Sequence, residues 1–172
     1  MRGRYHRPVA SFLQRRIVNP LVALLRQGTS PRKLACSLAC GVVCGLFPVV
    51  GTTTILCALV ALLFGLNLPA AQLVNYFLYP LQLVLIVPFM RAGEVILHAQ
   101  RTRLSLEQMI AIFRHNHMQA LHDLWRLTVH GIVAWLVFAP FLFAVVYAVV
   151  LPPIARMARS MARRRGAAAA TP

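Results

Sequence analysis

The sequence predicts an all-α integral membrane protein with an amphipathic N-terminal helix, a re-entrant helical hairpin, and two full transmembrane helices with an amphipathic outer helix between them. Two observations carry this prediction. First, no charged residue occurs in residues 34–90 or in residues 127–155. A bilayer span needs about 20 apolar residues, whereas a soluble core around such stretches would need far more chain than 172 residues. Second, 59% of the residues are hydrophobic.

Residues 1–33 form a basic amphipathic cytoplasmic segment. Apolar residues alternate with arginines through residues 8–27, which predicts a helix lying in the membrane interface. We expect Gly28 to end this helix, Ser30 to cap the next one, and Pro31 to occupy its first position. The next helix therefore has a defined start.

Residues 34–155 form a single membrane domain that begins with the hairpin, residues 34–66. Pro48 and Gly51 mark its turn, and Asn67 and Pro69 follow its second half. Each half is shorter than the roughly 20 residues that cross a bilayer, so we expect the chain to enter and leave on the cytoplasmic side. The alternative is that residues 34–90 make three thin crossings.

Small residues predict close packing of the hairpin. Ser37, Gly41 and Gly45 recur every four residues, a spacing that lets helix backbones approach in lipid. The cysteines of this region are Cys36, Cys40, Cys44 and Cys57. Because no histidine or acid accompanies them, we interpret them as small buried hydrophobic residues and expect neither a metal nor a cofactor.

Two full spans complete the domain. We expect residues 70–90 to cross outward, residues 91–126 to lie outside, and residues 131–151 to return. Ser105 and Gln108 form a capping-box pattern in the outer segment, which predicts an amphipathic helix on the outer interface. Residues 156–172 are rich in Arg and Ala, and we expect them to form a basic disordered tail.

The charge distribution predicts the orientation. The chain has 18 Lys and Arg against three acids, Glu94, Glu107 and Asp123, all in the outer segment. Basic residues flank the membrane domain on both sides, so the positive-inside rule places both termini in the cytoplasm. Attraction to the bilayer and its anionic lipid head groups accounts for the net charge of +15, and we expect no nucleic-acid partner.

Polar residues inside a bilayer are costly and are therefore candidates for function. Gly51 and Thr52 would present free amides at the start of a half-helix, a geometry that holds polar groups in transporters. Asn75 and Gln82 share a face of the next span and are expected to complete a substrate-binding site there. The structural alternative is that Thr52 caps its helix and that Asn75 and Gln82 bond to neighbouring helices.

Glu94 is the acid closest to the membrane core, and we count it among the substrate-binding candidates. Its spacing from Arg91 equally permits an interfacial ion pair. The histidines of the outer segment and of the helix that follows it are His98, His115, His117, His122 and His130. Their spacing matches no metal site and the chain carries no catalytic motif, so we expect that the protein is not an enzyme. A membrane enzyme using Glu94 and these histidines is the alternative.

Several stretches resemble one bacterial family. They are residues 28–35, 41–51, 66–69, 75–83 and 88–94. They include the pattern Phe-Pro-x-x-Gly at the hairpin turn and Pro-Leu-Gln in the predicted span of residues 70–90. The chain is similar to the membrane family known as domain of unknown function 2062, over about residues 28–151. The positions taken as its structural motif are Pro31, Gly41, Gly45, Pro48, Gly51, Asn67 and Pro80. Here Asn75 and Pro80 are separated, whereas many members place Asn next to Pro.

The resemblance implies a multi-pass protein of the bacterial inner membrane without an assigned activity. Some members are fused to glycosyltransferase-like domains, which associates the family with the cell envelope. Two hypotheses remain. In the first, the protein has a transporter-like or lipid-handling role, with Gly51, Thr52, Asn75 and Gln82 forming a site in a homo-oligomer. In the second, it is a scaffold or accessory subunit that recruits an envelope-biosynthesis enzyme through its outer helix, residues 105–126, or through its basic N-terminal helix.

Overall fold

The computed structural model describes residues 29–99 and 117–169, and within them every regular element is a helix. The helices are α1 (Pro31–Gly45), α2 (Thr53–Leu63), α3 (Leu68–Phe77), α4 (Tyr79–Ile96) and α5 (His117–Ala169). The predicted N-terminal amphipathic helix and most of the outer segment, including Ser105 and Gln108, lie outside the described residues. The all-α prediction is therefore confirmed for the part of the chain that is described.

Helix α1 begins where the local sequence predicts. The Ser30 Oγ accepts a hydrogen bond from the Lys33 amide at 3.2 Å, and Pro31 occupies the first helical position. Ser and Pro suit these positions because a helix leaves its first amides without partners inside the helix.

Helices α1 and α2 form a helical hairpin. Gly51 in the connecting turn has a φ of +86°, a conformation that glycine adopts without strain. Helix α2 ends at Leu63, and Gly65 follows its C-cap in a Schellman motif, in which the Leu66 amide donates to the Ala61 carbonyl at 2.7 Å. The chain then returns to the first turns of α1, because the Asn67 amide donates to the Ser37 Oγ at 2.8 Å. The hairpin therefore begins and ends at the same end of the fold.

The stretch predicted as one span, residues 70–90, is divided between two helices. Leu78 ends α3 and begins α4. Pro80 has no amide hydrogen to donate to the Tyr76 carbonyl, and its ring crowds that carbonyl, which interrupts the helix. Helix α3 packs on α1 and α2, whereas α4 packs on α5. The stretch long and apolar enough to cross a membrane is Tyr79–Ile96.

Helix α5 contains the predicted span of residues 131–151 and extends far beyond it. It runs for 53 residues with Pro140, Pro152 and Pro153 in its interior. Its residues Leu124–Arg163 form the second helical stretch long and apolar enough to cross a membrane. Disorder was expected from residue 156 onward, but the helix continues to Ala169. Ala, Arg and Met dominate this stretch, and all three are strong helix formers.

Helix α1 lies at the centre of the packing. It runs parallel to α3, with Gly41 against Ala71 and Gly45 against Asn75. It runs antiparallel to α5, because Leu34 packs with Ile154 at its start. A second cluster contains Cys40, Cys44, Cys57 and Ala71, so the prediction that these cysteines are buried is confirmed; Cys36 is half-buried.

Candidate functional site

Two side chains from other helices close the C-terminal end of α1. The final carbonyl groups of a helix have no amide donors within it. The Gln82 Nε2 on α4 donates to the Phe47 carbonyl at 2.8 Å, and the Trp135 Nε1 on α5 donates to the Val43 carbonyl at 2.9 Å. The Phe47 and Trp135 rings also meet edge to face, with centroids 4.9 Å apart. Gln82, only 1% exposed, therefore joins α1 to α4.

A second set of amides joins α3 to α2. The Gln72 Nε2 donates to the Thr54 carbonyl at 2.8 Å, and the Asn75 Nδ2 donates to the Gln72 Oε1 at 3.0 Å. Asn75 is buried beside Gly45, where an added Cβ would lie 3.2 Å from the Asn75 Oδ1. The two predicted site residues Asn75 and Gln82 thus act in two separate hydrogen-bond sets, and both sets end on backbone carbonyls.

The hairpin tip stands apart from these sets. Gly51 and Thr52 are exposed, and an added Cβ at Gly51 would meet nothing within 4 Å. The Thr52 Oγ1 donates to the Val49 carbonyl at 3.0 Å within the turn. No hydrogen bond in the described residues joins Gly51 or Thr52 directly to Asn75 or Gln82.

Glu94 lies in the tightest contact between α4 and α5. It is 2% exposed, and its Oε2 lies 3.3 Å from the Arg91 guanidinium, whose side chain is 53% exposed. Next to it, Gly93 packs on the His130 backbone so closely that an added Cβ would overlap the His130 carbonyl. The ion pair between Arg91 and Glu94 is thus present.

The histidines do not form a metal site in the described residues. His98 adopts a φ of +51° at the end of α4, and the next amide donates back to the Glu94 carbonyl at 2.9 Å. His115 lies outside the described residues, and nothing is described of the His117 side chain. Among the described residues, no group of three or more His, Cys, Asp or Glu side chains could hold a metal.

A wholly apolar cavity lies between α4 and α5 at the end of α1. Its volume is about 340 Å³. We call it the apolar cavity, and its lining residues are Leu46, Leu85, Pro88, Phe89, Ala92, Phe138, Phe141 and Leu142. No polar side chain lines it, so it suits a hydrocarbon chain and offers nothing to a polar ligand.

A second cavity, the basic cavity, lies where the start of α1 meets the C-terminal half of α5. Its volume is about 560 Å³. Its lining residues are Ser30, Pro31, Arg32, Leu151, Ala155, Ala158, Arg159 and Ala162. Two arginines from different helices therefore share one partly apolar cavity.

Three residues with a structural role were not identified from the sequence. Gln72 and Trp135 also donate hydrogen bonds to backbone carbonyls of other helices, and Gly93 permits the α4 contact with α5. A polar or indole donor within an apolar stretch was the available signal for the first two. Gly93 gave no signal, because its partner His130 lies beyond the outer segment.

Comparison with known proteins identifies the family. No curated protein and no solved structure matches the chain. A family model described as an uncharacterized protein conserved in bacteria (DUF2062) matches residues 14–164. This match covers most of the chain and confirms the resemblance that rests on the hairpin turn and on the Pro-Leu-Gln pattern of residues 80–82. The chain belongs to the bacterial family domain of unknown function 2062.

Proposed function

We propose that this chain is a multi-pass protein of the bacterial inner membrane, with both termini cytoplasmic, that binds membrane lipid through the apolar cavity. The observation that carries the proposal is the wholly apolar lining of that cavity, between the two helices that are long enough to span a bilayer. The proposal includes no catalytic step.

The distribution of side chains supports a membrane location. Large apolar side chains face outward, including Ile55 at 72% exposure and Phe141 at 71%. Polar side chains lie inside, with Asn75 at 3% and Gln82 at 1%. A water-soluble protein has the opposite arrangement, because exposing apolar surface to water is unfavourable and burying polar groups is costly. In lipid the outward apolar side chains are well solvated.

Helix lengths support a re-entrant hairpin. Helices α1 and α2 have 15 and 11 residues. At about 1.5 Å per residue, neither reaches across a hydrocarbon core of about 30 Å. The bond between Asn67 and Ser37 returns the chain to the level at which it entered. The turn carbonyl of Phe47 is satisfied by Gln82, as irregular backbone within a membrane requires.

The apolar cavity fits an acyl chain. All its lining side chains are hydrocarbon or aromatic, and Phe138 and Phe141 are themselves exposed on α5. A lipid tail entering from the surrounding bilayer would bury apolar surface without leaving a polar group unpaired. By contrast, Asn75 and Gln82 each already donate one amide hydrogen to a partner within the protein. This favours lipid over a polar solute as the ligand.

Filling the apolar cavity tests the proposal. In Ala92→Phe, the larger ring would occupy the cavity. Ala144→Phe is the matched control, because Ala144 is exposed on α5 and does not line the cavity. Delipidated full-length protein in neutral detergent is titrated with dioleoylphosphatidylcholine, and bound lipid is counted by native mass spectrometry.

We expect the wild type and Ala144→Phe to retain one phosphatidylcholine molecule and Ala92→Phe to lose it. Equal retention by all three proteins would contradict the proposal.

The scaffold hypothesis remains a prediction without support from the described residues, because most of the outer helix that would recruit an enzyme lies outside them.

A further inference from the structure

The basic cavity is lined by two cationic side chains and by several apolar residues. Arg32, in the first turn of α1, and Arg159, on α5, line it together with Leu151, Ala155, Ala158 and Ala162. Both arginine side chains are exposed, so a ligand can reach them. The Arg159 Nε makes a bond of 3.3 Å to its own helix at Ala155, which leaves its terminal nitrogens available as donors.

The positive charge at this end of the fold is not neutralised by acids of the described chain. Lys33, Arg156 and Arg163 add to it. Glu94 lies beside the contact between Gly93 and His130, near the far end of the α4 and α5 pair. Asp123 precedes Arg159 in the same helix by about 54 Å at about 1.5 Å per residue. Among the described residues the basic cavity therefore has no acid that matches it, and a bound anion would complement its charge.

The apolar residues that line the basic cavity favour one class of anion over another. A free anion gains nothing from Leu151 and the three alanines, whereas a phospholipid places its glycerol and first methylene groups against such a surface. Arginine binds phosphate oxygens with paired hydrogen bonds. In the proposed membrane orientation, this cavity lies at the cytoplasmic boundary of the bilayer, where anionic head groups are found.

We propose that the basic cavity is a binding site for the phosphate of an anionic phospholipid, held by Arg32 and Arg159. This inference rests on the proposed membrane location but does not depend on the apolar cavity. It also differs from general attraction to an anionic surface, because only the two lining arginines should matter and not the total charge.

Two double variants with equal charge separate the site from the general attraction. Arg32→Gln with Arg159→Gln removes both lining arginines. Arg156→Gln with Arg163→Gln removes the same charge from the same end of α5, at positions that do not line the cavity. Full-length protein in neutral detergent is titrated with dioleoylphosphatidylglycerol and, separately, with dioleoylphosphatidylcholine, with native mass spectrometry as the readout.

We expect wild type to prefer phosphatidylglycerol, and Arg32→Gln with Arg159→Gln to weaken its binding by roughly tenfold or more, whereas the control pair changes it less than about threefold. Equal losses in the two pairs would overturn the site. A second result would also overturn the site: no preference for phosphatidylglycerol over phosphatidylcholine, together with displacement of the bound lipid by millimolar inorganic phosphate. The ligand would then be free phosphate. If a double variant does not fold, Arg32→Gln and Arg159→Gln are measured singly, with Arg156→Gln as control.

Phosphatidylcholine binding distinguishes the two proposals. Retained phosphatidylcholine without a preference for phosphatidylglycerol contradicts the basic site and leaves the apolar cavity in place. Loss of phosphatidylcholine in Ala92→Phe with an intact phosphatidylglycerol preference supports both sites as separate.

Discussion

Replacing Gly41 by alanine should push α1 away from α3. The added Cβ would overlap the Ala71 carbonyl oxygen and lie 3.0 Å from the carbonyl carbon, where ordinary contacts begin at 3.4 Å. Because the obstacle is backbone, no side chain can rotate to make room. Overpacking of this kind costs about 1–3 kcal/mol. Because backbone has to move, we take the upper part of this range, about 2–3 kcal/mol; alanine recovers about 1 kcal/mol of helix propensity, so we expect a net loss of about 1–2 kcal/mol.

The same change at Gly131 provides the control. There the nearest atoms to an added Cβ are Pro48 carbons at 3.4 Å, an ordinary contact distance. Gly131→Ala should therefore keep the propensity gain and leave stability unchanged or higher by about 1 kcal/mol. Unfolding free energies of both variants are measured by titrating mixed micelles with denaturing detergent. A Gly41→Ala variant as stable as wild type would refute the close packing of α1 on α3.

Three further substitutions test individual contacts by the same unfolding measurement. Gln82→Leu leaves the Phe47 carbonyl without its donor and should cost about 1–3 kcal/mol; an unchanged free energy would show that this bond is absent. Trp135→Phe loses the bond to Val43 but keeps a ring against Phe47, so we expect a smaller loss of about 1 kcal/mol, and a loss above that of Gln82→Leu would contradict this ranking. His98→Gly should stabilise the protein by a few tenths of a kcal/mol to about 1 kcal/mol, because φ at this position is +51°, which glycine adopts without strain. Destabilisation would contradict the left-handed backbone conformation at the end of α4.

Local signals in the sequence predicted the helix boundaries well. Ser30 with Pro31, and Asn67 with Pro69, each begin a helix, because their effects act within one turn. The break at Leu78 was missed because the apolar run continues through it and hides the effect of Pro80. The tail was missed for a different reason: lack of apolar residues to bury was taken as disorder, although Ala and Arg favour helix.

The candidate site was predictable only in part. Residues Asn75 and Gln82 were identified as buried polar groups, and both are buried. Their partners were not predictable, because each bond depends on where a distant helix ends: Gln82 meets a carbonyl at the end of α1. The two cavities likewise form between elements far apart in the chain, and the residues that line them carry no sequence pattern of their own.

In the proposed topology, the hairpin enters and leaves the membrane on the cytoplasmic side. Single cysteines at Val50 and Leu104, in a background with the four native cysteines replaced by alanine, are exposed to a membrane-impermeant thiol reagent from each side. We expect Leu104 to be labelled only from outside, and Val50 to be labelled at most weakly from the cytoplasm. Ready labelling of Val50 from outside would contradict the re-entrant hairpin and would indicate three thin crossings.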